Sequence, residues 1–137
     1  MRGFRASSAV ACACAALAIA GCGESAHDQV QSKVSQFLSA IAAHDYKTLC
    51  TQVLAPSLLA RLAGGGIRCE EAMRISLSNV HDPILSVGRI TVNGSTAQAI
   101  TLSGAEGQKG AFESIDLIDT GNGWRISSLA TPHVSGG

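Results

Sequence analysis

The hydrophobic period of this chain changes once, near Pro83. Before that point apolar residues recur at intervals of three and four, the spacing of one face of a helix. After it, aliphatic and β-branched residues run in short stretches separated by glycine-rich turns, the layout of strands joined by hairpins. Helices first and an antiparallel meander last argue for the α+β class, with the helices covering one face of a curved sheet of about four strands.

The spacing predicts a helix over residues 28–43, with Val30, Val34, Phe37, Leu38 and Ile41 as its apolar stripe. His44 and Asp45 break the pattern, and Asp45 is placed to cap a second helix over 46–54 through its carboxylate. Leu49, Cys50 and Val53 fall on one side of that helix. Pro56 suits the first turn of a third helix, 56–63, carrying Leu58, Leu59 and Leu62. Gly64, Gly65 and Gly66 read as its terminator. They are not a phosphate loop, because no Gly-Lys-Ser/Thr follows. A fourth helix spans 69–78, with Glu70 and Glu71 in the first turn, where negative charge favours the helix dipole.

Strands are expected over 84–92, 96–103, 111–119 and 124–130. Asn93-Gly94 reads as a type I′ turn between the first two, since both central positions of such a turn need positive φ. Residues 104–110 form a polar glycine-rich loop, and 120–123 a second turn. Trp124, alone at a strand start, reads as a core residue rather than a ligand stacker.

The first residues are of another kind. Arg2 and Arg5 precede an apolar run, Ala9 to Ala20, too short to span a bilayer and laid out as a secretory signal. The run ends in Ile19-Ala20-Gly21-Cys22. This resembles the lipobox of bacterial lipoproteins, an aliphatic residue and two small residues before the cysteine. The resemblance implies cleavage after Gly21 and lipidation of Cys22, so that membrane lipid is the first expected partner. Two or three acyl chains would hold the protein stably on the extracytoplasmic face of the cell membrane. Residues 1–21 are then a signal peptide, 22–27 a tether, 28–130 the domain and 131–137 a frayed tail.

Five cysteines divide on that reading. Cys12 and Cys14 leave with the signal peptide and Cys22 carries lipid. Cys50 and Cys69 remain as an even pair in an oxidising compartment, where a disulfide is expected. Neither Cys-x-x-Cys spacing nor paired histidines points to redox or metal chemistry.

Charge narrows the partners. Ten Lys and Arg balance ten Asp and Glu, and losing Arg2 and Arg5 leaves the mature part slightly acidic. There is no cationic run to neutralise phosphates, so nucleic acid is not an expected partner. A polybasic membrane patch is absent for the same reason.

Three stretches carry a resemblance to a known fold family. They are Phe37 to Tyr46, where an apolar helix ends before an acidic residue that starts the next, then Val92 to Ala97, then Gly121-Asn122-Gly123-Trp124-Arg125-Ile126. The pattern resembles the nuclear-transport-factor-2-like cone, also used by SnoaL-like proteins and ketosteroid isomerases. Cys50 and Cys69 resemble the cysteine pair of small actinobacterial lipoproteins of this type. The resemblance covers nearly all of residues 30–130. Between the second and fourth helices the family's strand pair is missing, which implies a shortened cone.

Such a fold serves enzymes, carriers and scaffolds alike. An isomerase would need a carboxylate base and an oxyanion donor in an apolar pocket. Asp116 is the candidate base, on a face with Phe112, Ser114 and Ile118, and Tyr46 is the only phenolic donor. The competing alternation places Ile115 and Leu117 on the core face and turns Asp116 to water. His27, His44, His81 and His133 lie in tether, turns and tail, with no histidine spacing for a metal and no Gly-x-Ser-x-Gly elbow for a hydrolase. No cofactor is expected. The function expected is a non-catalytic module of the cell envelope that binds a small apolar ligand or an envelope protein. A lyase or isomerase on the same cone, and a structural interaction protein with a filled cone, are the alternatives.

Overall fold

A computed structural model of the chain describes residues 23–130. The expected signal peptide, Cys22, and residues 131–137 with His133 lie outside the described residues.

Four helices precede a four-stranded antiparallel sheet in the order β1-β2-β3-β4, and the sheet does not close into a barrel. The first helix, α1 (Ala26–Ala42), starts two residues before its apolar stripe requires. Ser25 is the cause. Its Oγ accepts from the Asp28 backbone N–H at 3.2 Å and donates to the Asp28 carboxylate at 2.6 Å, a reciprocal cap that draws Ala26 and His27 into the helix. The expected tether is shortened accordingly. Val30, Val34, Phe37, Ala40 and Ile41 are buried along one face.

Asp45 caps the second helix as expected, its carboxylate accepting from Thr48 N–H at 3.0 Å. The helix itself differs from expectation. α2 (Tyr46–Thr48) is a single turn and continues as a π-helical turn, Leu49–Val53. The wider turn closes with Leu54 N–H donating to Leu49 C=O at 2.9 Å. It lets Leu49, Cys50, Val53 and Leu54 all be buried, more than one face of a regular helix would carry. Leu54 then makes a parallel bridge to Ile126, and Ala55 N–H donates to Ile126 C=O at 2.7 Å, which covers part of the β4 edge.

α3 (Pro56–Gly64) starts at Pro56 and ends in the glycines, with Gly65 and Gly66 donating back to Leu62 and Ala63. α4 (Cys69–Ser76) is two residues shorter than its sequence pattern suggested, closing through Leu77 N–H to Met73 C=O. The Cys50–Cys69 disulfide is formed, with Cα atoms 6.0 Å apart, and ties the start of α4 to the π turn.

The strands are β1 (Ile84–Asn93), β2 (Thr96–Gly104), β3 (Ala111–Asp119) and β4 (Trp124–Ala130). The first hairpin differs by one residue from the Asn-Gly expectation. Asn93 pairs with Thr96, so the turn is centred on Gly94 and Ser95, and Gly94 alone has positive φ, at 60°. Glycine at the first central position fits a type II′ turn instead. Two bulges bend the sheet, at Gly88 in β1 and Ser127 in β4. The second lets both Ile126 and Leu129, three residues apart, pair with inward-facing residues of β3.

Alternation then assigns the inner face. Ala97, Ala99 and Thr101 of β2, Ile115 and Leu117 of β3, and Trp124 and Ile126 of β4 are buried beneath the helices. Trp124 is core, as expected, at 3% exposure. Among the described residues no helix is long and apolar enough to cross a membrane.

Candidate binding cavity

The core is filled at one end of the sheet and open at the other. Toward the Gly94 turn, Ala97 and Ala99 are small, and they belong with Val30 and Val34 of α1 to one buried cluster. Toward the far end of β2, the inner positions become small or polar: Thr101, Ser103, Ala111 and Glu113. There a cavity of about 330 Å³ lies between the sheet and the C-terminal half of α1. Its apolar walls come from Phe37, Leu38 and Ile41 on the helix side. Leu77 and Val80 close it after α4, and Leu85 and Leu129 line it from the two edge strands. A volume of this size is at the lower end of the range for small-molecule sites.

The polar groups of the cavity come from β2, β3 and the loop between them. Thr101, fully buried just beneath the cavity and not part of its lining, donates from Oγ1 to Glu113 C=O at 3.4 Å. Ser114, which does line it, has a buried Oγ with no hydrogen-bond partner. Ser103 Oγ donates to Ala111 C=O at 3.5 Å, and Gln108 Nε2 donates to Asn79 C=O at 3.1 Å. The Glu113 side chain shares the face of Ile115 and is half-buried in the cavity wall. Among the described residues no Lys, Arg or His nitrogen lies within ion-pairing distance of it. Lys109 stands at the mouth, exposed.

The residues singled out in the sequence are not assembled here. Asp116 lies on the outer face, paired with Gln98 and Ser128, and accepts from Gln98 Nε2 at 3.1 Å. Tyr46 is half-buried against the core on the helix side, its ring 6.1 Å from that of His44. The sheet separates the two, so they do not form an acid–base pair. The carboxylate that does face inward, Glu113, was legible in the alternation that put Ile115 and Leu117 on the core face.

A shallower depression of about 490 Å³ adjoins the cavity, sharing Val80, Pro83 and Ile84. His44, His81, Asp82 and Glu106 line it. Among the described residues no group of three or more His, Cys, Asp or Glu side chains is gathered closely enough to hold a metal ion. The outer face of the sheet exposes Ile84, Leu102 and Phe112, the last two directly paired. No protein-family model, curated protein or solved structure matches the chain.

Proposed function

We propose that this chain is a lipid-anchored binding module of the cell envelope, holding a small, mainly apolar molecule in the cavity beneath α1. One observation carries the reading. The inner face of the sheet is packed with apolar side chains at one end and gives way to Ser103, Ala111 and Glu113 at the other, under helix residues that stay apolar. A wholly filled structural core would continue the packing. A concave, mostly apolar space with few polar groups is what a small-molecule site requires.

The order of elements supports the nuclear-transport-factor-2-like cone as the finer description, with helices before an antiparallel meander and bulges that bend it. The lipobox-like Ile19-Ala20-Gly21-Cys22 supports an extracytoplasmic location. Cys22 lies just before α1, and the seventeen residues of α1 span roughly 25 Å at 1.5 Å per residue. The cavity is lined by Phe37, Leu38 and Ile41, in the half of that helix farther along the chain from Cys22.

Two measurements test this. Cys22→Ala should move the protein from the membrane to the soluble fraction, and unchanged membrane retention would remove the anchor. Native mass spectrometry of the protein purified gently from its own host should show a bound small molecule. A bare chain, together with no uptake of any apolar probe, sinks the binding reading.

A further inference from the structure

We propose that the ligand of this cavity carries a protonated amine, which docks on the Glu113 carboxylate while its apolar body lies along Phe37, Leu38, Leu85 and Leu129. The inference rests on the cavity being a binding site and names the chemistry it selects.

Glu113 projects from β3 on the same face as the fully buried Ile115, so it belongs to the wall and not to the rim. Glu113 is half-buried and its carboxylate still reaches water. A ligand whose apolar body fills the cavity displaces that water, and the carboxylate then needs donors in return. Of its neighbours in the cavity wall, Ser103 and Gln108 donate to backbone carbonyls at 3.5 and 3.1 Å, and the buried Ser114 Oγ makes no hydrogen bond. Among the described residues nothing donates to the Glu113 side chain. A ligand ammonium would supply up to three N–H donors and the compensating charge in one group, the strong charge-assisted case.

Lys109 is the rival partner. It stands on the exposed loop between Gly107 and Gly110, and Gly107 has φ of 72°. Holding that long side chain over the cavity would cost its rotamer freedom and its hydration, for an exposed pair of small worth. A ligand whose apolar body is already bound presents its amine at no such cost. An anionic ligand would have to meet Lys109 while lying against the unneutralised Glu113, so the same wall that favours an amine rejects a carboxylate.

The test uses three probes with one tail, hexylammonium, hexan-1-ol and hexanoate. Each is titrated calorimetrically into the full chain in dodecyl maltoside micelles, with empty micelles as the blank. The expected order is hexylammonium at least tenfold tighter than hexan-1-ol, with hexanoate weakest. Glu113→Gln should abolish the preference for the amine over hexan-1-ol. Leu129→Trp, which fills the cavity from an edge strand, should weaken all three. Equal binding of the three probes by the wild-type chain, or preference for hexanoate, overturns the amine proposal and leaves the cavity a binding site. Binding of none of them overturns both. The wild-type comparison decides the matter even if Glu113→Gln fails to fold.

Discussion

Lys33 and Arg125, from the first helix and the last strand, donate to adjacent carbonyls of the π turn, Lys33 Nζ to Gln52 at 3.0 Å and Arg125 Nη1 to Thr51 at 2.7 Å. The end of a helical segment leaves carbonyls without partners and carries the negative end of its dipole, so two cations there complete it. They do so unequally. Burial holds the Lys33 amine below its usual value, and the charge of Arg125 adds to the effect.

Arg125→Ala should therefore lower stability by about 1 kcal/mol, the worth of a hydrogen bond from a charged group at a part-exposed site. Lys33→Met, which keeps the aliphatic stem, should cost less, because it also relieves the repulsion. The pH dependence follows. Between the lowered value of Lys33 in the folded chain and its ordinary value, the unfolded chain binds more protons, so this residue makes stability rise with pH there. Urea unfolding from about pH 8 to about pH 10 should show that rise in the wild type and a flatter profile in Lys33→Met. An identical profile in both would mean that Lys33 is not desolvated.

The disulfide closes a loop that contains all of α3, a helix with no fully buried residue of its own. Its contribution comes mainly from restricting the unfolded chain. Replacing Cys50 and Cys69 together by Ala should cost about 3 kcal/mol by the chain-entropy relation. The β-sheet should persist, since its core residues lie outside the loop, while α3 and α4 become the first parts to open. Hydrogen exchange reads this directly. Equal protection of α3 in wild type and double variant would show that Leu58, Leu59 and Arg61 hold it without the covalent tie.

Ser114 Oγ is buried with no hydrogen-bond partner. A buried hydroxyl without a partner is a net loss, so Ser114→Ala should be neutral or stabilising by up to about 1 kcal/mol. Thermal unfolding of the two chains checks it. Clear destabilisation would mean that the hydroxyl is satisfied by a group outside the described residues.

The fold class was legible in the sequence because it rests on period, and period reports which face is buried. What escaped was set by exceptions to period. The π turn at Leu49–Val53 keeps a helical spacing of apolar residues while changing the backbone, so Leu54 could not be seen to leave the helix, nor Leu54 and Ala55 to pair with β4. The Ser127 bulge shifts β4 by one residue and brings Leu129 inward, which strict alternation does not foresee. Asp116 drew attention as a carboxylate on a strand, yet the same strand held Glu113 on the opposite face. Choosing between them needed only the decision that Ile115 and Leu117 face the core. The cavity itself was not legible, because it depends on how far α1 extends over the sheet.

Asp45 sits at the start of α2 with its carboxyl held below the usual aspartate range, first by the Thr48 backbone N–H and then by the Thr48 side chain. A lowered value means that the charged form is favoured on folding. Its contribution is thus fully present above the ordinary aspartate value and is lost as pH falls through the lowered one. Asp45→Asn keeps the accepting oxygen but cannot titrate, so it should remain folded at neutral pH and lose less stability than wild type on acidification below about pH 4. Asp45→Ala should be destabilised at every pH. Parallel acid profiles for wild type and Asp45→Asn would remove the carboxylate from the cap.

His44 closes α1 in a position that glycine usually fills. Its N–H donates to Ile41 C=O at 3.0 Å and the N–H of Asp45 donates to Ala40 C=O at 2.8 Å, the paired bonds of a Schellman motif. The motif requires the left-handed region at His44, whose φ is 53°. A residue with a Cβ is strained there by roughly 1–2 kcal/mol, and glycine is not. His44→Gly should therefore stabilise the chain by about 1 kcal/mol, reduced by the loss of the ring stacked near Tyr46 and by the greater freedom of glycine when unfolded. His44→Ala keeps the strain and loses the ring, so it should fall below wild type. Equilibrium unfolding of the three chains orders them. If His44→Gly is the least stable, the imidazole holds the α1–α2 corner through its contact with Tyr46, and the backbone strain is the smaller effect.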